Sequence, residues 1–298
     1  MKNIRKITKS DNAVVGIVAT FLIVGLVVAI ISVIQTVYIP KWMEQSEAEH
    51  METVTEQFSQ LKFAIDTQSA IKQKDTPIST PITLGSKELP FLMSSRAYGF
   101  LDLYPDECTV TIDDSENKTY SLGVIKYSSA NAYYLNQVYI FEAGAVILSQ
   151  SQGNTMLIKP AFSVMNNSVT STRKNLSLSF SITNIKKIGG KRSIHGYGVY
   201  PIQTNYSKTN TIYITDIKNI CINTNYRDAW QKFFKNTLIN SHLVYSPDDY
   251  FSLSEDFSIN MDNIDKVIVK FSDSINVDLT MNIIDIGVQI APGLIENC

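Results

Sequence analysis

The residues best suited to chemistry are few and scattered. His50, His195 and His242 lie far apart with no H-E-x-x-H pair, and Cys108, Cys221 and Cys298 show no C-x-x-C spacing. Neither a zinc clip nor a redox dithiol is therefore encoded locally. The chain has no G-x-S-x-G elbow, Walker loop or dinucleotide fingerprint. Gly189-Gly190 followed by Lys191-Arg192 has the composition of a phosphate-binding turn but not its strand–loop–helix setting, so a basic turn is expected. Asp248-Asp249, Glu255-Asp256, Asp262 and Asp265 offer oxygen ligands for calcium without the spacing of an EF-hand loop, and a solvated surface is expected there. Asp113, Asp114 and Glu116 read as a hairpin tip. Two distant carboxylates would suffice for a glycoside hydrolase, and no local motif reveals such a pair. These residues predict no catalytic, metal or cofactor-binding site and no enzyme.

Modification chemistry is better represented. Four N-x-S/T sequons occur, at Asn117, Asn166, Asn175 and Asn205, each a candidate for N-glycosylation on an exterior surface. Cys108 and Cys221 fall in strand-like segments and are a candidate disulfide in an oxidising exterior, with buried free thiols as the alternative. Lys+Arg 26 against Asp+Glu 28 gives a net charge of -2, which excludes a broadly basic nucleic-acid binder.

The elements that position these residues begin with a membrane-type helix. From Ala13 to Ile39 there is no charged side chain. As a helix this stretch is about 40 Å long, more than the roughly 30 Å of bilayer hydrocarbon. A secretory signal has a shorter apolar run and a small-residue cleavage site, which Val37-Tyr38-Ile39 does not supply. Lys2, Arg5, Lys6 and Lys9 precede the span, whereas Glu44, Glu47, Glu49, Glu52 and Glu56 follow it. The positive-inside rule then places the N-terminus in the cytoplasm and the rest outside, as a single-pass protein of the cell membrane. Tyr38 and Trp42 fall at the outer headgroup level. Gly25, Ala29 and Ser32 share one face and form a candidate helix-association surface, since small residues let a second helix approach in lipid.

Beyond the span, Met51, Val54, Phe58, Leu61 and Ile65 recur three and four apart, the seam of an amphipathic helix with Glu52, Glu56, Gln57, Gln60 and Lys62 on its wet side. Two heptads are too few for a free coiled coil, so this seam is expected to pack on the chain's own downstream domain. Pro77, Pro81, Gly85 and Pro90 mark a boundary. After residue 90 the apolar period changes from 3.6 to 2, as in Leu176–Thr183, and turn-rich segments separate many short strands. Tyr226–Ile239 is the exception, an amphipathic helix presenting Trp230, Phe233, Phe234 and Leu238. The fold class is α+β: a long N-terminal helix, then an antiparallel β-sandwich-like domain with one helix near 226–239. The organisation is a basic leader (1–12), a transmembrane helix (13–39), an exterior amphipathic helix (40–75), a Pro/Gly linker (76–90) and a β-rich extracellular domain (91–298). Two sequential β-domains are the alternative.

Lys9-Ser10-Asp11-Asn12-Ala13-Val14-Val15-Gly16-Ile17-Val18 resembles the N-terminus of archaeal type IV pilin-like proteins. Phe141-Glu142-Ala143-Gly144-Ala145-Val146-Ile147 with Met156 and Pro160, Ile194-His195-Gly196-Tyr197-Gly198, and Ala229-Trp230-Gln231-Lys232-Phe233-Phe234 are similar to segments of large members of that group. The resemblance implies a class III signal peptide cut by a prepilin peptidase, and like or related pilin subunits as partners through the N-terminal helix. The chain departs from the pattern in two places. Ser10 or Asn12, not Gly, precedes the cut, and no carboxylate lies inside the apolar run. Together with its size, these departures point to a minor pilin or an anchored surface protein rather than the main filament subunit. A single-pass binding or adhesion module that does not polymerise is the alternative.

Overall fold

The computed structural model describes residues 11–86, 97–113, 118–167, 174–189, 191–248, 251–252, 254–261 and 265–290. Helix α1 (Asp11–Val33) passes through one π-helical turn (Ile34–Tyr38) directly into α2 (Ile39–Ile71). The π turn sits where Pro40 has no N–H to give and its ring crowds the carbonyl of Thr36. The rod therefore accommodates Pro40 without ending. It stops at Lys72, whose left-handed backbone (φ 55°) lets its N–H close on the Gln68 carbonyl at 2.9 Å.

The head begins with β1 (Ile78–Thr83), β2 (Tyr98–Asp113), β3 (Lys118–Ala130), β4 (Val138–Glu142) and β5 (Ala145–Gln150). It continues through β6 (Gly153–Ile158), β7 (Ala161–Asn166), β8 (Lys174–Lys187), β9 (Ser193–Gly196), β10 (Val199–Ile214) and β11 (Asn219–Asn223). Helix α3 (Arg227–Asn240) precedes β12 (Tyr245–Ser246), β13 (Phe257–Asn260), β14 (Lys266–Phe271) and β15 (Ile275–Ile290). One sheet runs β1-β10-β15-β8-β7; the other runs β12-β13-β14-β11-β2-β3-β4-β5-β6, with β9 added beside β2. Pairing is antiparallel except for β15 with β8 and the short β12 with β13. The fold is thus the expected α+β type, a long helix and a largely antiparallel, sandwich-like head, with α3 where the aromatic pattern placed it.

Two parts of the expected organisation change. The segment 76–90 is not all linker, because Ile78–Thr83 is an edge strand of the first sheet. Pro81 is tolerated there because an edge strand needs fewer ladder donors, and Pro201 lies directly opposite it on β10. The two-domain alternative also takes a different form. Two apolar cores exist, but the same long strands build both. Leu176, Leu178, Phe180 and Ile182 of β8 enter the first core, and Ile185, an odd number of residues on, enters the second. On β15 the change falls between Met281 and Ile284, and on β2 at a bulge between Tyr104 and Cys108 that contains Pro105. Neighbouring Val124 and Ile125 of β3 are both buried, on opposite faces and in different cores.

The first core holds α3, whose Phe233 and Phe234 meet Phe162 edge to face, while Phe234 also meets Phe180 and Trp230 packs on both Phe233 and Phe234. The second core holds the stripe of α2, with Met51, Val54, Phe58, Leu61 and Ile65 buried as the spacing predicts. Each such side chain contributes about 1.5–3 kcal/mol on burial. Lys62 corrects the expected wet side: it is buried, and its ammonium bonds Asp66 one turn on. The stripe also runs past Ile65, since Gln68 is buried and its amide donates to the carbonyls of Thr76 and Thr204.

Candidate functional surface: the apolar stem and its seat in the head

Helix α1 is exposed along its described face, and the rod it opens is long and apolar enough to cross a membrane. Gly25, Ala29 and Ser32 lie exposed, and nothing approaches within 4 Å of where a Gly25 side chain would be. The Ser32 hydroxyl donates to the Val28 carbonyl at 2.8 Å, so it is satisfied inside its own helix. This face is apolar and open to close approach.

Where the rod enters the head, two ionisable residues sit on its buried stripe. Glu47 is fully buried and its carboxylate accepts the backbone N–H groups of Ala132, Tyr133 and Tyr134 at 3.0, 2.8 and 2.7 Å. Three donors replace the water that burial removes. One turn on, His50 Nε2 lies 3.0 Å from the Tyr127 hydroxyl and 3.3 Å from the Leu84 carbonyl, and Tyr127 donates to that same carbonyl at 2.9 Å. Burial pushes the His50 pKa down, opposed by the Leu84 carbonyl and the Glu47 charge. Next to this seat an open groove of about 680 Å³ runs between Gln45, Glu49, Glu52 and Glu56 of α2 and Tyr134 and Gln137.

A second carboxylate is buried beside α3. Glu142 Oε1 accepts from the Thr224 hydroxyl at 2.7 Å and from Trp230 Nε1 at 2.8 Å. Burial raises its pKa to about 7, against hydrogen bonds from Thr224, Trp230 and Cys108 that favour the charged form; the Glu107 charge adds to the rise. Burial likewise raises the Cys108 thiol and the Tyr226 phenol, both of which face the Glu142 charge. Immediately after Glu142, Ala143 and Gly144 both have positive φ (49° and 86°), the geometry of a type I′ hairpin turn.

No family model, curated protein or solved structure matches the chain. Its functional reading therefore rests on the residues and their geometry.

Among the described residues no group of three His, Cys, Asp or Glu converges on a metal-sized site. Asp256, from the acidic stretch, is buried and pairs with Lys174 at 2.7 Å while accepting the Val244 N–H. Asp249 and Asp262 lie outside the described residues. The expected cross-link between Cys108 and Cys221 is not formed, for both thiols are free. Cys221 pairs across from Thr111, and Cys108 is an odd number of residues from Thr111 with no intervening bulge, so the two thiols face opposite sides of the sheet. Cys298 and Asn117 lie outside the described residues. Asn166 and Asn175 are exposed, as glycan acceptors require. Asn205 is half-buried with its Oδ1 enclosed, on the face that carries Gln203 and Gln289, a less open setting than those of Asn166 and Asn175.

The sequence reading missed Glu47, Glu142 and one exposed cluster. Tyr98, Phe100, His195 and Tyr197 make ring contacts at centroid distances of 5.0 to 6.2 Å, with Phe100 39% and Tyr197 47% exposed. The signal for the two carboxylates was present: Glu47 shares the stripe of Met43, Met51 and Val54, and Glu142 interrupts the apolar run from Val138 to Leu148. The cluster joins β2 to β9 and had no local signal, because its rings come from segments remote in sequence.

Proposed function

We propose that this chain is a membrane-anchored cell-surface protein of the type IV pilin-like kind, held by α1 with its head outside the cell, and a minor subunit of a pilus-like filament. The observation that carries the reading is the continuous rod. Its first part offers apolar side chains along its described length save Thr20 and Ser32, whose hydroxyls bond carbonyls of their own helix, and its second part is the spine of the head's second core. A helix so exposed and so apolar requires lipid or like helices around it. The basic residues before it and the Glu-rich turns after it favour an exterior head. In this reading a prepilin peptidase removes about the first 10–12 residues, the length of the basic leader. N-terminal sequencing of membrane-derived and filament-derived protein tests it: a new N-terminus near Asp11–Ala13 supports it, and Met1 or Lys2 retained throughout removes processing and filament assembly together.

A second reading, an anchored binding module that does not polymerise, draws on the exposed rings of Tyr98, Phe100, His195 and Tyr197. Aromatic faces beside Asp102 and Lys126 are suited to stacking on a sugar ring with polar contacts at its edge. Retention of the leader together with glycan binding lost on Phe100→Ala would favour this module over the filament subunit.

A further inference from the structure

We propose that the loop 131–137 is a membrane-contact element, with Tyr133 and Leu135 entering the outer headgroup layer of the bilayer that the stem crosses. The inference rests on the stem crossing a bilayer and adds a second point of contact. The rod is continuous, so residue number fixes height along it. Glu47 lies five residues past Trp42, about 7.5 Å along the axis. An interfacial layer is about 5–8 Å thick on each side of the hydrocarbon. The loop is locked at that height, because the backbone N–H groups of Ala132, Tyr133 and Tyr134 all donate to the Glu47 carboxylate.

The loop's own closure decides which side chains are left outside. The Asn131 N–H donates to Asn136 Oδ1 at 2.6 Å and the Asn131 amide donates to the Leu135 carbonyl at 2.8 Å. Tyr134 turns in to pack on the second core, whereas Tyr133 is 41% and Leu135 52% exposed. Just below on the rod, Tyr38 and Trp42 are exposed with ring centroids 6.0 Å apart, and Lys41 between them is exposed as well. Two amphipathic rings and a lysine on the rod, with a tyrosine and a leucine on a pinned loop, match the composition of an interfacial belt. The occupant is therefore the lipid of the outer leaflet. Contact at two points fixes the rotation of the head about the rod, which a lone helix cannot do.

The test uses the full chain reconstituted in phosphatidylcholine vesicles with acyl chains brominated near the headgroup. Trp42→Phe leaves Trp230, buried in the first core, as the baseline emission. Adding Tyr133→Trp, and separately Leu135→Trp, should bring in an indole whose emission is blue-shifted and lost to the bromines, as is expected of Trp42 in the parent chain. If Trp42 is quenched and neither introduced indole is, the loop stays in water and the inference fails while the anchor stands. If Trp42 is not quenched either, the stem does not insert and both readings fall. If the introduced indoles respond to protein-to-lipid ratio and not to bromine, a second copy covers the loop and the inference is overturned.

Discussion

In the folded chain the Glu142 carboxyl gains donors and loses water, and the loss of water dominates, so its pKa rises to about 7. An unfolded carboxyl releases its proton near 4.5, so between that value and about 7 only the folded state keeps it. Stability contributed by this proton is present at low pH and falls by about 3 kcal/mol as pH rises through that window. His50 slopes the other way: its pKa is lowered, so stability is lost as pH falls below the ordinary 6.5. Urea titrations of the detergent-solubilised chain should therefore be read as a difference. Glu142→Gln is expected to lose the downward slope between about pH 5 and 7 and keep the His50 slope; parallel curves for the two proteins would refute it. Glu47→Ala leaves three backbone donors without their carboxylate and should cost about 3 kcal/mol, with faster proteolysis within 131–137. At this scale the sequence was least legible. Cys108 and Cys221 do lie in strands, but which face each occupies depends on the β2–β11 register, which a single sequence does not display.

Elements were more legible, for a physical reason. The spacing of Met51 to Ile65 and of Trp230 to Leu238 is a property of one continuous segment, and both helices form where that spacing put them. The strands were harder wherever both faces are buried. The stretch Val138–Leu148 has no alternation to mark its turn, for it is the hairpin β4–β5, apolar on both sides of Glu142 because one face meets each core. The strand β1 was hidden by Pro81 within it and Pro77 before it, which mean linker in most contexts and edge strand in this one. Gly123 marks where β3 crosses β8: a side chain there would sit 2.0 Å from the Ile185 carbonyl oxygen, and its N–H donates to Asn184 Oδ1 at 3.1 Å. Gly123→Ala should therefore cost about 3 kcal/mol and speed amide exchange in both strands. Unchanged exchange in β8 would show that the sheets part without consequence for each other.

Seen whole, the head has two cores and no seam between them, because β2, β8, β10 and β15 run through both. Phe58 lies in the second core and Trp230 in the first. Phe58→Ala should cost about 3–5 kcal/mol, and the loss should appear undiminished in the unfolding curve followed by Trp230 fluorescence. A Trp230 transition that ignores Phe58→Ala would mean that the cores unfold independently.

The same continuity governs how the molecule carries load. A tug on the stem passes down the rod into β1, which lies antiparallel along β10, itself laddered to β15 over most of its length. A pull directed along these strands is shared among many backbone bonds strained side by side, where a peeling force would open them one at a time. A head wired to its tether in this way is suited to being dragged.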